Sequence, residues 1–334
     1  MRQYRLDGSN AVTGLVLAEC DIPRPRRGQI LVKIAAASLN YLDIKIVEGR
    51  FPVPTTAGLV PLSDAAGKVV ELGEDVSEFA VGDSVASTFF PLWLGGPIPA
   101  NGRSVQPGAN APGLLSEYAL FEAGGLVKVP EHLTLVEAST LTCAGLTAWQ
   151  ALCGARPVLP GETFLTQGSG GVSLFALQFA KLAGASVVVT TSDPAKADKL
   201  SALGADTIVN YRTQPNWGRE VKSLIGGADH LLEIGERGTF EQVMAAAAVN
   251  AQINLVGRAD AGTPIEANLL MTGVTNLRRI SVGSRAAFEA MNRAIAHHKL
   301  RPVIDRVFPF ADAPAAFQYV SARGQFGKVV IEVS

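Results

Sequence analysis

Cysteine and histidine are scarce in this 334-residue chain, with three of the first and four of the second. Cys20, Cys143 and Cys153 are too few and too scattered for a disulfide framework or a zinc ribbon. His132, His230, His297 and His298 read as structural or solvated. An excess of charge is missing too: a formal net charge of −1 offers no basic field to nucleic acid or an anionic membrane. No apolar run approaches the ~20 residues that span a bilayer. Residues 1–8 lack the apolar core of a signal peptide. With 48% hydrophobic and 18% charged residues, the chain is globular and long enough for two domains. These exclusions leave a cytoplasmic protein with a small-molecule partner, and neither nucleic acid nor membrane.

Glycine is present where it is most informative. Gln167-Gly168-Ser169-Gly170-Gly171-Val172-Ser173 follows the apolar run 163–166 and opens an amphipathic stretch, 174–183. A glycine-rich turn from strand to helix lets backbone approach a pyrophosphate, whose charge faces the helix N-terminus. The third glycine of the fingerprint is replaced by Ser173, still small enough for close helix–strand packing. Strands at 187–191, 207–210, 230–234 and 252–256 alternate with helices around 195–203, 217–224 and 240–248. That alternation predicts an α/β fold with a doubly wound parallel sheet.

The end of the second strand bears on which dinucleotide is bound. An NAD site places an acid there to hold the ribose 2′-hydroxyl. Here the strand ends in Thr190-Thr191-Ser192, with Asp193 one step into the turn. Lys196 follows, and Tyr211-Arg212 end the next strand. Hydroxyls and cations without an acid at the tip suit the 2′-phosphate of NADP(H).

The first part of the chain reads as a compact β domain, with strands at 14–20, 30–36, 67–72, 83–87 and 116–121 between Gly and Pro turns. A long Gly/Pro/Asn loop covers 91–112, and 141–153 is apolar at helical spacing. After 256 the alternation stops. Strands are expected at 279–283, 302–307 and 328–333, with helices at 286–298 and 311–321.

Gly28 to Lys33, Ser38 to Asp43, Pro61 to Gly67, Val81 to Val85, Leu146 to Trp149, the glycine loop, Leu203 to Asp206 and Gly327 to Val330 occur in that order. Together they resemble the medium-chain dehydrogenase/reductase superfamily over essentially the whole chain. The subgroup indicated is the zinc-type alcohol dehydrogenase-like proteins, relatives of the zinc-independent quinone oxidoreductases. The resemblance implies a Rossmann NADP(H)-binding domain, 129–272, and a mainly β GroES-like catalytic domain, 1–128 with 273–334. It also implies a homodimer paired through the strand at 279–283, and a cofactor lying across the carboxyl ends of the parallel strands. Carried over residue by residue, Thr147 packs on the nicotinamide. Gly168, Ser169, Gly170, Gly171 and Val172 hold the pyrophosphate, Val256 and Gly257 meet the carboxamide, and Lys328 reaches the pyrophosphate. The strand-tip reading adds Thr191, Ser192, Lys196 and Tyr211 as the residues expected around the adenosine phosphate.

The catalytic zinc ligands of that family are Cys, His and Cys. Here the three positions hold Asn40, Ser63 and Cys143, and the proton-relaying hydroxyl position holds Leu42. An amide, a hydroxyl and one thiolate make a poor zinc site, so no zinc is expected. Without a Lewis acid, hydride delivery to a quinone or an enone is easier than carbonyl reduction, because the charge delocalises over a conjugated enolate. Asn40 and Tyr41 are the expected donors, with Ser63 and Asp64 on the same wall. Phe90, Trp93 and Phe326 are candidates for the substrate wall. Two alternatives stay open: an NAD(P)-dependent alcohol dehydrogenase, and a non-catalytic NADPH-binding scaffold or sensor.

Overall fold

The computed structural model describes residues 1–54, 56–235, 239–256 and 275–334. The chain divides into two compact units, Met1–Leu146 with Val282–Ser334, and Thr147–Ser281. No helix among the described residues is long and apolar enough to cross a membrane.

The first unit opens with β1 (Arg2–Leu6) and β2 (Leu15–Glu19), an antiparallel pair. Its main sheet is built from β3 (Gln29–Leu39), β4 (Asp64–Leu72), β5 (Ser84–Ser87), β6 (Tyr118–Glu122) and β7 (Leu126–Lys128). A short helix, α1 (Tyr41–Val47), follows β3 directly. β3 is long enough to pair with β6 along its first half and with a tail strand along its second. Ile30, Val32 and Ile34 on β3 and Ile44 on α1 are almost wholly buried in one core with Leu62, Leu115 and Phe317. A fully buried side chain of that size contributes roughly 1.5–3 kcal/mol.

The first unit extends past the expected bound at 128/129 to Leu146, while the expected bound at 272/273 lies outside the described residues. Helix α2 (Leu135–Ala138) packs on β3 and β4, and a π-helical turn at Leu141–Gly145 packs on β4 and β5, so both belong to the first unit. The segment of helical spacing over 141–153 is this π turn followed by α3 (Leu146–Cys153).

The second unit is the expected doubly wound α/β sheet. In chain order its strands are β8 (Thr163–Gln167), β9 (Ser186–Thr191), β10 (Thr207–Asn210), β11 (Ala228–Glu233), β12 (Ala247–Leu255) and β13 (Thr275–Arg279). These described strands are all parallel and lie in the order β10-β9-β8-β11-β12-β13. Helices α4 (Gly171–Leu182), α5 (Ala197–Ala202), α6 (Trp217–Ile225) and α7 (Thr239–Ala246) connect them. Leu165, Val188, Leu231 and Ile253 come from four neighbouring strands into one core. Parallel strands buried on both faces need such continuous apolar runs. The edge strand expected at 279–283 instead covers 275–279. Val282 takes a left-handed φ of 53°, which breaks any extension of the strand through it.

The tail returns to the first unit. α8 (Arg285–His298), β14 (Ile304–Pro309), α9 (Ala313–Ser321) and β15 (Lys328–Glu332) complete it. β15 runs antiparallel to β3 with Val329 opposite Leu39, and that register positions the site below.

Candidate active site

Two groups of residues carry chemistry, one in each unit. In the second, strand order reverses between β8 and β11, the switch point at which open α/β sheets bind ligands beyond their carboxyl ends. The glycine loop leaves β8 there. Gly168 takes a left-handed φ of 71° and its N–H donates to Thr190 O at 2.6 Å. Gly170 is the N-cap of α4 with an ordinary φ of −76°. A methyl group added to it would meet no atom within 4 Å. The fold itself does not require glycine at 170, whereas a phosphate approaching the backbone does. A pyridine nucleotide therefore fits this loop. Ser173, in the third glycine's place, is buried, and its hydroxyl donates to Gln167 O at 2.6 Å. The departure from the fingerprint thus fastens the loop.

Two side chains not foreseen from sequence lie beside it. Gln167 Nε2 donates to Glu233 Oε2 at 3.0 Å. Glu233 Oε1 accepts from Gly235 N at 2.8 Å and from Thr239 Oγ1 at 2.7 Å. Burial raises the Glu233 carboxyl above the usual range, opposed by these hydrogen bonds. The available signal was a polar residue closing each of two apolar strands.

The strand tips place Thr191, Ser192, Lys196 and Tyr211 on the same sheet edge as the loop, since Asn210 pairs with Thr191 and Gln167 with Thr190. Thr191 Oγ1 accepts from Asp193 N, and Asp193 spends Oδ1 on Ala195 N at 3.0 Å, capping the turn at Pro194–Lys196. The nearest acid thus caps its own turn through Oδ1. Thr147 is buried in the first turn of α3, and Val256 N donates to Glu233 O at 2.9 Å. Gly257 lies outside the described residues.

In the first unit, the ends of three adjacent strands bring the former metal-ligand positions together. Ser38 pairs with Asp64 and Leu39 with Val329, so Asn40, Asp64 and Lys328 are neighbours. Lys328 is 3% exposed, and its Nζ donates to Leu39 O and to Asn40 Oδ1, each at 2.6 Å. Asp64 is fully buried 4.0 Å from that ammonium. Ser63 Oγ donates to Asp64 Oδ1 at 2.8 Å, and Cys143 N to Asp64 Oδ2 at 3.1 Å. Asp43, also buried, accepts from Asn40 N at 2.7 Å and caps α1.

Burial pushes the Asp64 carboxyl up, offset in part by Lys328 and then by Asn40 and Ser63. Burial pulls the Lys328 ammonium down, opposed first by Asp64. Asp43 is pushed to about 7 by burial and by the neighbouring Asp64 charge. The three titrate as a coupled cluster. Asn40 Nδ2 contributes to holding Asp64 down, yet no acceptor among the described residues meets it in hydrogen-bond geometry.

Two of the expected site residues have other partners in this structure. Lys328, taken from the resemblance to reach a pyrophosphate, is buried against Leu39 and Asn40, because the β3–β15 register turns it into the unit's interior. Tyr41, expected beside Asn40 as a donor, has its hydroxyl engaged by Arg323 and by Arg50, and Arg323 stacks on its ring. Phe90 and Phe326 are core residues, and Trp93 pins its own loop through Nε1 to Gly96 O.

The family's zinc was tested against these donors. Among the described residues, no group of three or more His, Cys, Asp or Glu is arranged to hold a metal ion. The three ligand positions are instead occupied by an amide bound to an ammonium, a hydroxyl bound to a carboxylate, and a cysteine beside them. This donor set does not fit zinc.

The alcohol dehydrogenase GroES-like domain matches residues 26–131, and the zinc-binding dehydrogenase family matches residues 171–297. A zinc-type alcohol dehydrogenase-like protein of Schizosaccharomyces pombe is 37% identical over 94% of both chains. A chloroplastic quinone oxidoreductase of Triphysaria versicolor is 34% identical over 68% of this chain and 65% of its own. Among solved structures, a candidate alcohol dehydrogenase from Sinorhizobium meliloti superposes with a TM-score of 0.92 at 39% identity, covering 99% of this chain and 98% of that one. A mycobacterial protein complexed with NADPH gives 0.83 at 26% identity, with both chains fully covered. Fold, loop and relatives define an oxidoreductase that uses a pyridine nucleotide. The chain belongs to the medium-chain dehydrogenase/reductase superfamily, in its alcohol dehydrogenase-like branch.

Proposed function

We propose that this chain is a metal-independent, NADP(H)-dependent reductase of quinones or α,β-unsaturated carbonyls. The observation that carries the reading is the amide at the first ligand position. Asn40 holds Lys328 through its oxygen and leaves a buried N–H₂ donor without a partner of its own among the described residues. Such a donor suits an enolate or hydroquinone oxygen, where the charge is already delocalised.

The second unit would hold the nucleotide, with Gly168, Ser169, Gly170, Gly171 and Val172 at the pyrophosphate. Thr191, Ser192, Lys196 and Tyr211 would take the adenosine phosphate, and Thr147, Val256 and Gly257 the nicotinamide. When bound, the reduced nicotinamide supplies a hydride. Asn40 would donate through Nδ2 to the carbonyl oxygen of a quinone or enone, where charge develops on reduction. Ser63 and Asp64 keep the wall in place and touch no reacting atom in this scheme.

The test is NADPH oxidation in the presence of 9,10-phenanthrenequinone, methyl vinyl ketone, or a simple saturated ketone. Turnover with the first two and little with the third supports the reading. Oxidation of simple alcohols by stoichiometrically zinc-loaded protein would favour the alcohol dehydrogenase alternative, which the names of several relatives favour. Tight NADPH binding without turnover would favour the scaffold. The same reading pairs two copies along the edge strand β13, whose Leu277 is exposed. Sedimentation as a monomer at micromolar concentration would remove that part.

A further inference from the structure

We infer that Lys328 is a positioning residue that activates Asn40, supplying by an ammonium–amide pair the polarisation that relatives draw from zinc; the inference rests on Asn40 being the oxygen donor proposed above. Three observations carry it. The Lys328 Nζ reaches the side-chain oxygen of the residue at the first ligand position, at 2.6 Å. A second bond to Leu39 O, also 2.6 Å, fixes the ammonium from the strand that leads into Asn40. At the other two ligand positions, the Ser63 hydroxyl and the Cys143 backbone N–H both donate to Asp64, the carboxylate facing the same ammonium at 4.0 Å. All three positions are thus organised around one internal ion pair.

The physical consequence lies in the amide. Donation to the carbonyl oxygen of a primary amide draws electron density from its nitrogen and makes the N–H₂ a stronger donor, a cooperative effect that is larger in a dry, low-dielectric setting. It also settles the amide's orientation, since an ammonium accepts no hydrogen bond and only Oδ1 can face it. Nδ2 is thereby turned away from Lys328, and no acceptor among the described residues meets it in hydrogen-bond geometry. Asp64 balances the buried charge. Its own hydrogen bonds from Ser63 Oγ and the Cys143 backbone N–H hold it facing Lys328. A carboxamide–lysine couple of this kind holds an oxygen without bearing a net charge at the contact atom. It therefore suits a delocalised enolate better than a localised alkoxide.

The experiment compares Asn40→Ala, Lys328→Met, Lys328→Gln, Lys328→Arg and the Asn40→Ala/Lys328→Met double variant. The readouts are melting temperature, NADPH Kd, and kcat and KM with 9,10-phenanthrenequinone. Asn40→Ala should lower kcat on the order of 100-fold, the size seen when one oxyanion donor is removed. Lys328→Met should lower kcat by about 10-fold or more with the NADPH Kd unchanged, and should cost nothing further in the Asn40→Ala background. Lys328→Arg should recover part of the loss. Lys328→Gln retains a donor to Asn40 without charge and serves as the same test if the Met variant melts too low to assay. An NADPH Kd that rises while kcat holds would overturn the inference and return Lys328 to the pyrophosphate. Loss of kcat in Asn40→Ala but not in the Lys328 variants would overturn it alone. Full kcat in Asn40→Ala would remove the functional reading beneath it.

Discussion

The side chains of Gln167 and Glu233 meet at 3.0 Å across the carboxyl ends of β8 and β11, adjacent strands of the parallel sheet. The pair braces the origin of the glycine loop at the switch point and ties it, through Thr239, to the start of α7.

Replacing Glu233 with Ala leaves the donors of Gln167, Gly235 and Thr239 without their acceptor, and buried donors left so are costly. The NADPH Kd should rise on the order of tenfold, equivalent to ~1.4 kcal/mol. Fluorescence titration measures it. An unchanged Kd would mean that the brace serves the fold alone.

Gly168 and Gly170 should respond differently to alanine. Gly168 has φ 71°, so Gly168→Ala strains the backbone and lowers the melting temperature of the nucleotide-free protein. Gly170 faces open space at φ −76°, so Gly170→Ala should melt like wild type and bind NADPH more weakly. Equal melting losses in both would show that the fold, and not the ligand, demands the second glycine.

Lys196→Glu tests the 2′-phosphate. Asp193 turns one oxygen to capping its own turn, beside the hydroxyls and cation of Thr191, Ser192 and Lys196. The substitution should raise KM for NADPH far more than for NADH. Parallel increases for the two cofactors would reject the preference for NADP(H).

Asp43 makes stability depend on pH. Its carboxyl is raised from 3.8 when free to about 7 in the fold, through burial and Asp64. Below both values it favours the folded state fully, and that contribution is lost as pH rises through the interval to about 7. Asp43→Asn keeps an oxygen for the Asn40 N–H and removes the titration. Chemical denaturation at about pH 5 and about pH 8 should therefore show the variant gaining on wild type as pH rises. A difference that does not change with pH would contradict the assignment.

The parallel half of the fold was legible because each strand there is an apolar, β-branched run, as in Val187-Val188-Val189. β1 escaped notice because Arg2 and Arg5 interrupt its pattern, although Gln3, Tyr4 and Leu6 are buried. Ile280 and Val282 suggested a strand, but the one described there is the more polar Thr275–Arg279, and the left-handed φ of Val282 breaks any extension through it. At the site, the glycine loop and the missing ligand types could be read directly from residue identity. The Lys328–Asn40 contact could not, because it depends on a strand register linking residues 288 apart. The same holds for Gln167 and Glu233, which meet only once the strand order is known.

The central claim is hydride transfer without a metal. The most direct measurement is the rate of NADPH oxidation with 9,10-phenanthrenequinone before and after exhaustive chelation, on protein whose zinc content is determined in parallel. The account predicts zinc far below one per chain and a rate that chelation leaves unchanged. One zinc per chain, with turnover lost on its removal and restored on its return, would contradict it.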